Sequence, residues 1–253
     1  MWRVANFGLL TQNFDHLQPT KRLLRSASMV AVRRPSAAGR LVVLVLAVGI
    51  LSALVAIFVV GFMLHRPPVL NAVANSNGQG VKIHLEVVGS VSSATEFPRP
   101  TDPHPTWVSY LPTTILKVPA NSMVTMQIDQ EDTPSGLRNP FWGQAQGIVG
   151  GTFHMTYFDN NGNPQKGDFS AIDDPANAAH TFAIPDLGVF VPLEGVNAAA
   201  PAGSMNVITF SFMTGKPGTY HWQCFVPCGS GTIYGNGGPM QTTGYMAGFL
   251  VVQ

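Results

Sequence analysis

A sandwich of β-strands carried behind one apolar membrane helix is the architecture this sequence predicts, and three observations predict it. Residues 41–64 run LVVLVLAVGILSALVAIFVVGFML without a charge. After them, short segments of alternating apolar and polar residues recur between turn-forming loops, with no helical period. The 26 glycines and 20 prolines in 253 residues argue against a helical soluble part.

Residues 1–40 carry seven Lys/Arg against one acid, Asp15, and show no sustained period, so they read as a basic tail. The apolar run that follows exceeds the roughly 30 Å hydrocarbon thickness at about 1.5 Å per residue. It also exceeds the about 7–15-residue apolar core of a secretory signal, and a long basic segment precedes it. A retained anchor is therefore expected over a signal cleaved near Ala72-Val73-Ala74. The flanking arginines place the N-terminus in the cytoplasm and everything after the helix outside. Beyond residue 66 the chain holds six basic and twelve acidic residues, a poor balance for nucleic acid, whose phosphates call for basic patches.

Arg66-Pro67-Pro68 ends the helix, because proline cannot continue the hydrogen-bond ladder. Residues 65–80 read as a linker and residues 81–253 as the external domain. Strands are expected at Val81–Val88, Thr114–Val118 and Met123–Asp129, the last two joined by a turn at Pro119–Ser122, with a Pro/Ser/Thr loop from Gly89 to Pro112. Residues 130–176 read as an insertion rich in Asn, Gly and Asp, holding a strand near 147–158 and a turn at Asp159–Asn163. Further strands are expected at Ala179–Ile184, Met205–Phe212, Gly218–Cys224 and Gly248–Gln253. No internal repeat is evident.

The chemistry gathers near the end of the chain. Cys224 and Cys228, the two cysteines of the protein, follow a strand and are separated by three residues. Such a pair is a good thiolate set for a soft metal, and outside the cytoplasm it is equally suited to a disulfide. No second Cys/His pair accompanies it as zinc would require. Catalytic signatures are absent: there is no Gly-x-Ser-x-Gly elbow, phosphate loop or zinc-protease helix, and Asp173-Asp174 beside Pro175 reads as a turn.

Around the cysteines the pattern resembles the cupredoxin family, through an upstream His-Thr-Phe-x-Ile, a strand ending in cysteine, and a Met-x-Gly before the final strand. His180-Thr181-Phe182-Ala183-Ile184-Pro185-Asp186-Leu187-Gly188-Val189 is similar to the His-Ser-Trp-x-x-Pro-x-Leu-Gly-Val stretch of cytochrome c oxidase subunit II. Gln223-Cys224-Phe225-Val226-Pro227-Cys228-Gly229 looks like that family's Gln-Cys-x-x-x-Cys-Gly, where two sulfurs bridge the coppers of the CuA centre. The resemblance implies a Greek-key sandwich and copper held by the His180 imidazole, the Cys224 and Cys228 thiolates, the Val226 carbonyl and the Met246 thioether. Many members have two membrane helices where this chain shows one. The family's second histidine position is occupied here by Thr243, a ligand too hard and too weak to replace imidazole.

The resemblance therefore implies a membrane-anchored copper electron-transfer domain with an altered CuA-type site, CuA-like or mononuclear. It would accept electrons from an external donor beside a heme-copper oxidase or related respiratory complex, and would not be catalytic alone. The alternative is a copper-free structural or interaction subunit of a membrane complex with a Cys224–Cys228 disulfide. Copper storage or delivery is a third reading. His84, His104 and His154 are candidate substitutes for the second imidazole, and Met240 for a thioether. His221, three residues before Cys224 on one strand, points to the opposite face, while Tyr220 and Trp222 share the parity of Cys224 and should fill the core.

Overall fold

The uncharged run folds as helix α1 (Ala37–Phe58), which closes in a π-helical turn, Val59–Met63. Ser36 caps its start, with the Oγ accepting the Gly39 N–H at 3.1 Å. Within Ala37–Gly61, 25 residues in all, an 18-residue window reaches a mean hydropathy of 3.1, so the helix is long and apolar enough to cross a membrane. The structure, a computed structural model, describes residues 36–63, 68–90, 106–136, 139–228 and 238–253. Most of the basic tail, and His104, lie outside them.

Residues 64–253 form a second unit, whose described residues make thirteen strands in two sheets. The strands are β1 (Val69–Asn71), β2 (Val73–Ala74), β3 (Val81–Val88), β4 (Ser109–Leu111), β5 (Ile115–Val118), β6 (Met123–Gln130), β7 (Phe153–Phe158), β8 (Pro164–Phe169), β9 (Ala178–Ile184), β10 (Val189–Glu194), β11 (Asn206–Met213), β12 (Gly218–Gln223) and β13 (Ala247–Val252). One sheet runs β1-β5-β13-β12-β9-β10 and the other β2-β3-β6-β11-β7-β8, with β4 added on β3. Most neighbours are antiparallel, but β5 pairs parallel with β1 and β13, and β3 with β6.

Period-2 alternation accounts for the inner faces. In β6, Val124, Met126 and Ile128 point inward, and in β11 Ile208, Phe210 and Phe212 do so, in register as Ile208 opposite Ile128 and Phe210 opposite Met126. Strand β9 is buried along its whole length, which suits its place between β12 and β10. The layers meet through aromatic rings, Phe182 of β9 lying 5.8 Å from Phe210 of β11.

Several strands escape the sequence pattern for definable reasons. Strand β8, PQKGDF, has little apolar content because it is an edge strand hairpinned to β7, so only one neighbour constrains it. Strand β10 contains Pro192, which its place at the edge of the other sheet tolerates. Strands β1 and β2 lie within the segment expected as linker, and β4 within the loop expected from 89 to 112; all are two or three residues long, too short for a period to register. Residues 149–151, expected within a strand, instead form a 3-10 turn, with Gly150 and Gly151 at φ +77° and +71°.

At the end of β10, where the register shifts, Glu194 is pushed up from 4.5 to about 7, first by burial and then by the nearby Asp173 carboxylate. A carboxyl whose folded pKa is raised binds its proton more tightly in the folded state than in the unfolded one. Its contribution to stability therefore falls as pH rises from about 4.5 through about 7 and is constant above that. Glu194→Gln should remove this fall and be more stable than wild type at pH 8 by about 1–2 kcal/mol, allowing for solvent screening of a partly exposed group. The two proteins should converge near pH 4.5 in denaturant titrations. Parallel pH–stability curves would exclude this role for Glu194.

Candidate metal centre

The site forms where β9 and β12 run side by side. Gln223 of β12 pairs with Ala183 of β9, and this register brings the residues just beyond β12 against His180 and Thr181. The Thr181 N–H approaches the Cys224 Sγ at 3.4 Å, and the Phe225 N–H donates to the Thr181 Oγ1 at 2.8 Å. The Cys224 N–H donates to the Met246 carbonyl at 2.9 Å, tying the loop to the start of β13. Thr181 is itself held from the core, its carbonyl accepting the Tyr110 hydroxyl at 2.9 Å.

His180, Cys224 and Cys228 converge, with one nitrogen and two sulfurs all within 4.8 Å of one another. Among the described residues no other group of three His, Cys, Asp or Glu does so. All three are buried, Cys224 completely. No disulfide joins the two cysteines in this structure. The His180 Nδ1 lies 3.9 Å from the Cys224 Sγ, and on the far side of the ring Nε2 meets the Asp132 Oδ2 at 3.1 Å. A cavity of about 440 Å³ opens beside the group, lined by Trp107, Asp132, His180, Pro227, Cys228 and Pro239 among others.

Electrostatics within the group are tightly linked. Burial opposes charge on the His180 ring, yet its hydrogen bonds with Asp132 and Cys224 raise it to about 9. The same hydrogen bond from His180 lowers Asp132 against its own burial. Burial likewise opposes a thiolate at Cys224, but hydrogen bonds with Cys228 and His180 hold its thiol well below the ordinary value. Cys228 is pushed up by its hydrogen bond to Cys224 and by burial. Burial, then the charge at the two sulfurs, also raises the Tyr110 phenol, which remains a neutral donor.

Of the residues expected to ligate, His180, Cys224 and Cys228 come together. Val226 is also close: its carbonyl lies 3.4 Å from the Cys224 Sγ and accepts the Cys228 N–H at 2.6 Å. Met246 is fully buried behind the loop, its N–H on the Pro239 carbonyl. Thr243 is exposed in the turn before β13. His84 and His154 are placed elsewhere, on the other sheet, paired with Asp129 at 2.8 Å and Asp168 at 2.9 Å. His221 is exposed and meets the edge of Phe249, while Trp222 is fully buried. Tyr220 is only half-buried, with its hydroxyl on the Lys216 carbonyl.

Asp132 went unnoticed in the sequence, since nothing in an acid two residues past a strand announces a histidine 48 positions later. The insertion contributes too: Trp142 stacks on Phe225, next to Cys224, with ring centroids 5.0 Å apart and planes at 10°. Chemically, two sulfurs and one imidazole can hold a soft or borderline metal. Hard cations fit poorly, for the group contains no carboxylate, and a structural zinc would call for a fourth protein ligand.

No protein-family model matches the chain, and no curated protein matches it in sequence. Solved structures resemble it in chain path. The metal-binding domain of the Cu(I)-exporting P-type ATPase of Streptococcus pneumoniae is 12% identical, covering 75% of this chain and 99% of that one at a TM-score of 0.33. Rusticyanin from Thiobacillus ferrooxidans is 14% identical, covering 73% and 82% at a TM-score of 0.31. A chain of a heme-copper terminal oxidase dimer is 13% identical, covering 87% and 100% at a TM-score of 0.27. Among the described residues this chain is a two-sheet β-sandwich that follows one long apolar helix in the sequence.

Proposed function

We propose that this protein is a membrane-anchored electron-transfer domain that holds one copper ion with His180, Cys224 and Cys228. The Met246 thioether and the Val226 carbonyl are its weaker neighbours. The observation that carries this reading is the approach of one imidazole nitrogen and two sulfurs to within 4.8 Å in a buried group. When bound, copper supplies a one-electron couple.

The protein's own part is to hold the donors still and keep water out. Cys224 is fixed through its N–H on Met246 and through the Thr181 N–H at its sulfur, so the site has little freedom to rearrange between oxidation states. Cys228, at 8% exposure, is the sulfur nearer solvent, whereas Cys224 is sealed. A single ion is favoured over a copper pair because the described residues bring one imidazole to the two sulfurs.

The helix Ala37–Gly61 would anchor the domain, with the basic N-terminal segment in the cytoplasm and the sandwich outside. There it would take electrons from an external donor and pass them to other subunits of a respiratory or related membrane complex, performing no reaction alone.

To test this, the full-length chain is purified in detergent with its thiols reduced, loaded with copper, and followed by visible absorption, EPR, metal content and free-thiol count. The expected result is one copper per chain, a thiolate-to-copper absorption band and a mononuclear Cu(II) signal. A mixed-valence pair spectrum would replace the single-ion reading with a CuA-like one. A colourless protein whose thiols had paired as a disulfide would overturn both.

A further inference from the structure

We propose that Asp132 is the positioning residue of this site, holding the His180 ring by Nε2 so that Nδ1 is presented to the two sulfurs; this rests on the metal-binding reading above. An imidazole has two nitrogens, and the partner of one decides what the other can do. Here the two ends of the ring have separate partners. Nε2 meets the Asp132 Oδ2 at 3.1 Å, and Nδ1 faces the Cys224 Sγ at 3.9 Å. A carboxylate only accepts, so Nε2 keeps its proton, and Nδ1 is the nitrogen a metal would take, displacing any proton held there.

Asp132 is built to hold that orientation. Its other oxygen, Oδ1, accepts the Thr133 N–H at 2.8 Å. Its backbone carbonyl accepts both the Gln130 side-chain amide at 3.1 Å and the Val196 N–H at 2.9 Å. The residue is thus fixed from the end of β6 and from the segment after β10, and Oδ2 is directed at the ring. The ring itself is 2% exposed, so solvent does not compete for Nε2, while the carboxylate side chain is 34% exposed and reaches water.

A negative charge behind the ring also favours the more highly charged metal. Asp132 should therefore strengthen Cu(II) binding more than Cu(I) binding and lower the potential of the site. A residue serving only the fold would change neither the ring proton nor this ratio.

The experiment compares wild type, Asp132→Ala and Asp132→Asn as full-length chains in detergent, with folding checked by circular dichroism. Three quantities are read: Cu(I) affinity against a chromophoric Cu(I) chelator, midpoint potential, and the His180 Nε2–H resonance of the metal-free protein in ¹⁵N-histidine NMR. Asp132→Ala should lose the resonance and bind Cu(I) about 10–100-fold more weakly. Asp132→Asn, whose amide oxygen still accepts, should keep the resonance and much of the Cu(I) affinity. Having lost the charge, it should weaken Cu(II) about tenfold more than Cu(I), a rise of about 59 mV for a one-electron couple. A folded Asp132→Ala with unchanged resonance and affinity would overturn the proposal. If that variant does not fold, an Asp132→Asn potential equal to wild type would do so. Should wild type itself take no copper, the metal-binding reading fails, and the NMR comparison still decides whether Asp132 positions the ring.

Discussion

Cys224→Ser is expected to lower copper affinity by more than about 100-fold, beyond the loss that removal of an outer partner brings. The sulfur is completely buried and is the atom on which the site's contacts meet: His180 Nδ1 at 3.9 Å, the Thr181 N–H at 3.4 Å and the Val226 carbonyl at 3.4 Å. A serine hydroxyl occupies nearly the same space but is a hard donor, poorly matched to copper beside a second thiolate. The metal-free variant should still fold, within about 1–2 kcal/mol of wild type, because the substitution is close to isosteric and the Thr181 N–H keeps an acceptor. Competition titration with a Cu(I) chelator reads the first effect and chemical denaturation the second. Wild-type copper affinity in a folded Cys224→Ser protein would remove this cysteine from the site and the proposed function with it.

Trp222→Ala is expected to produce the largest loss of stability, about 3–5 kcal/mol, or about 10 °C in Tm for a domain of this size. The indole is fully buried at the centre of an aromatic cluster, 4.9 Å from the Phe182 ring and 5.0 Å from Tyr110, the latter edge-on at 88°. Its Nε1–H donates to the Thr114 carbonyl at 3.1 Å. That carbonyl also accepts the Phe249 N–H at 2.9 Å, so truncation leaves a cavity without orphaning the acceptor. The cavity term therefore dominates the cost. The same carbonyl lies so close to Gly248 that no Cβ fits there, which explains glycine within β13. Because Trp222 lies on β12 two residues before Cys224, its loss should also loosen the metal loop and weaken copper binding. Circular dichroism during thermal unfolding measures the first effect; a Tm within about 2 °C of wild type would contradict the packing argument.

Much of the domain was legible because its strongest strands bury one face. Alternation in β6, β11 and β12 sorted inner from outer residues, and it placed Trp222 and Cys224 inside with His221 outside, as found. The edge strands β8 and β10 were not legible, since an edge strand is constrained from one side and tolerates polar residues and proline. Within residues 130–176 the sequence showed a strand and the turn at Asp159–Asn163 but no role; folded, the segment extends one sheet with the β7–β8 hairpin and lays Trp142 over Phe225.

The sequence by itself determined the helix, the sandwich and the three residues that could hold a soft metal, because hydrophobic period and residue chemistry are local properties. Only the tertiary structure decided that those residues meet and that Thr243 faces outward. It alone revealed Asp132 behind His180. The physical reason is that a metal site is a set of distances between atoms far apart in the chain. Those distances are fixed by the pairing of β9 with β12 and by the hydrogen bonds of the loops around them, neither of which leaves a periodic trace in the sequence.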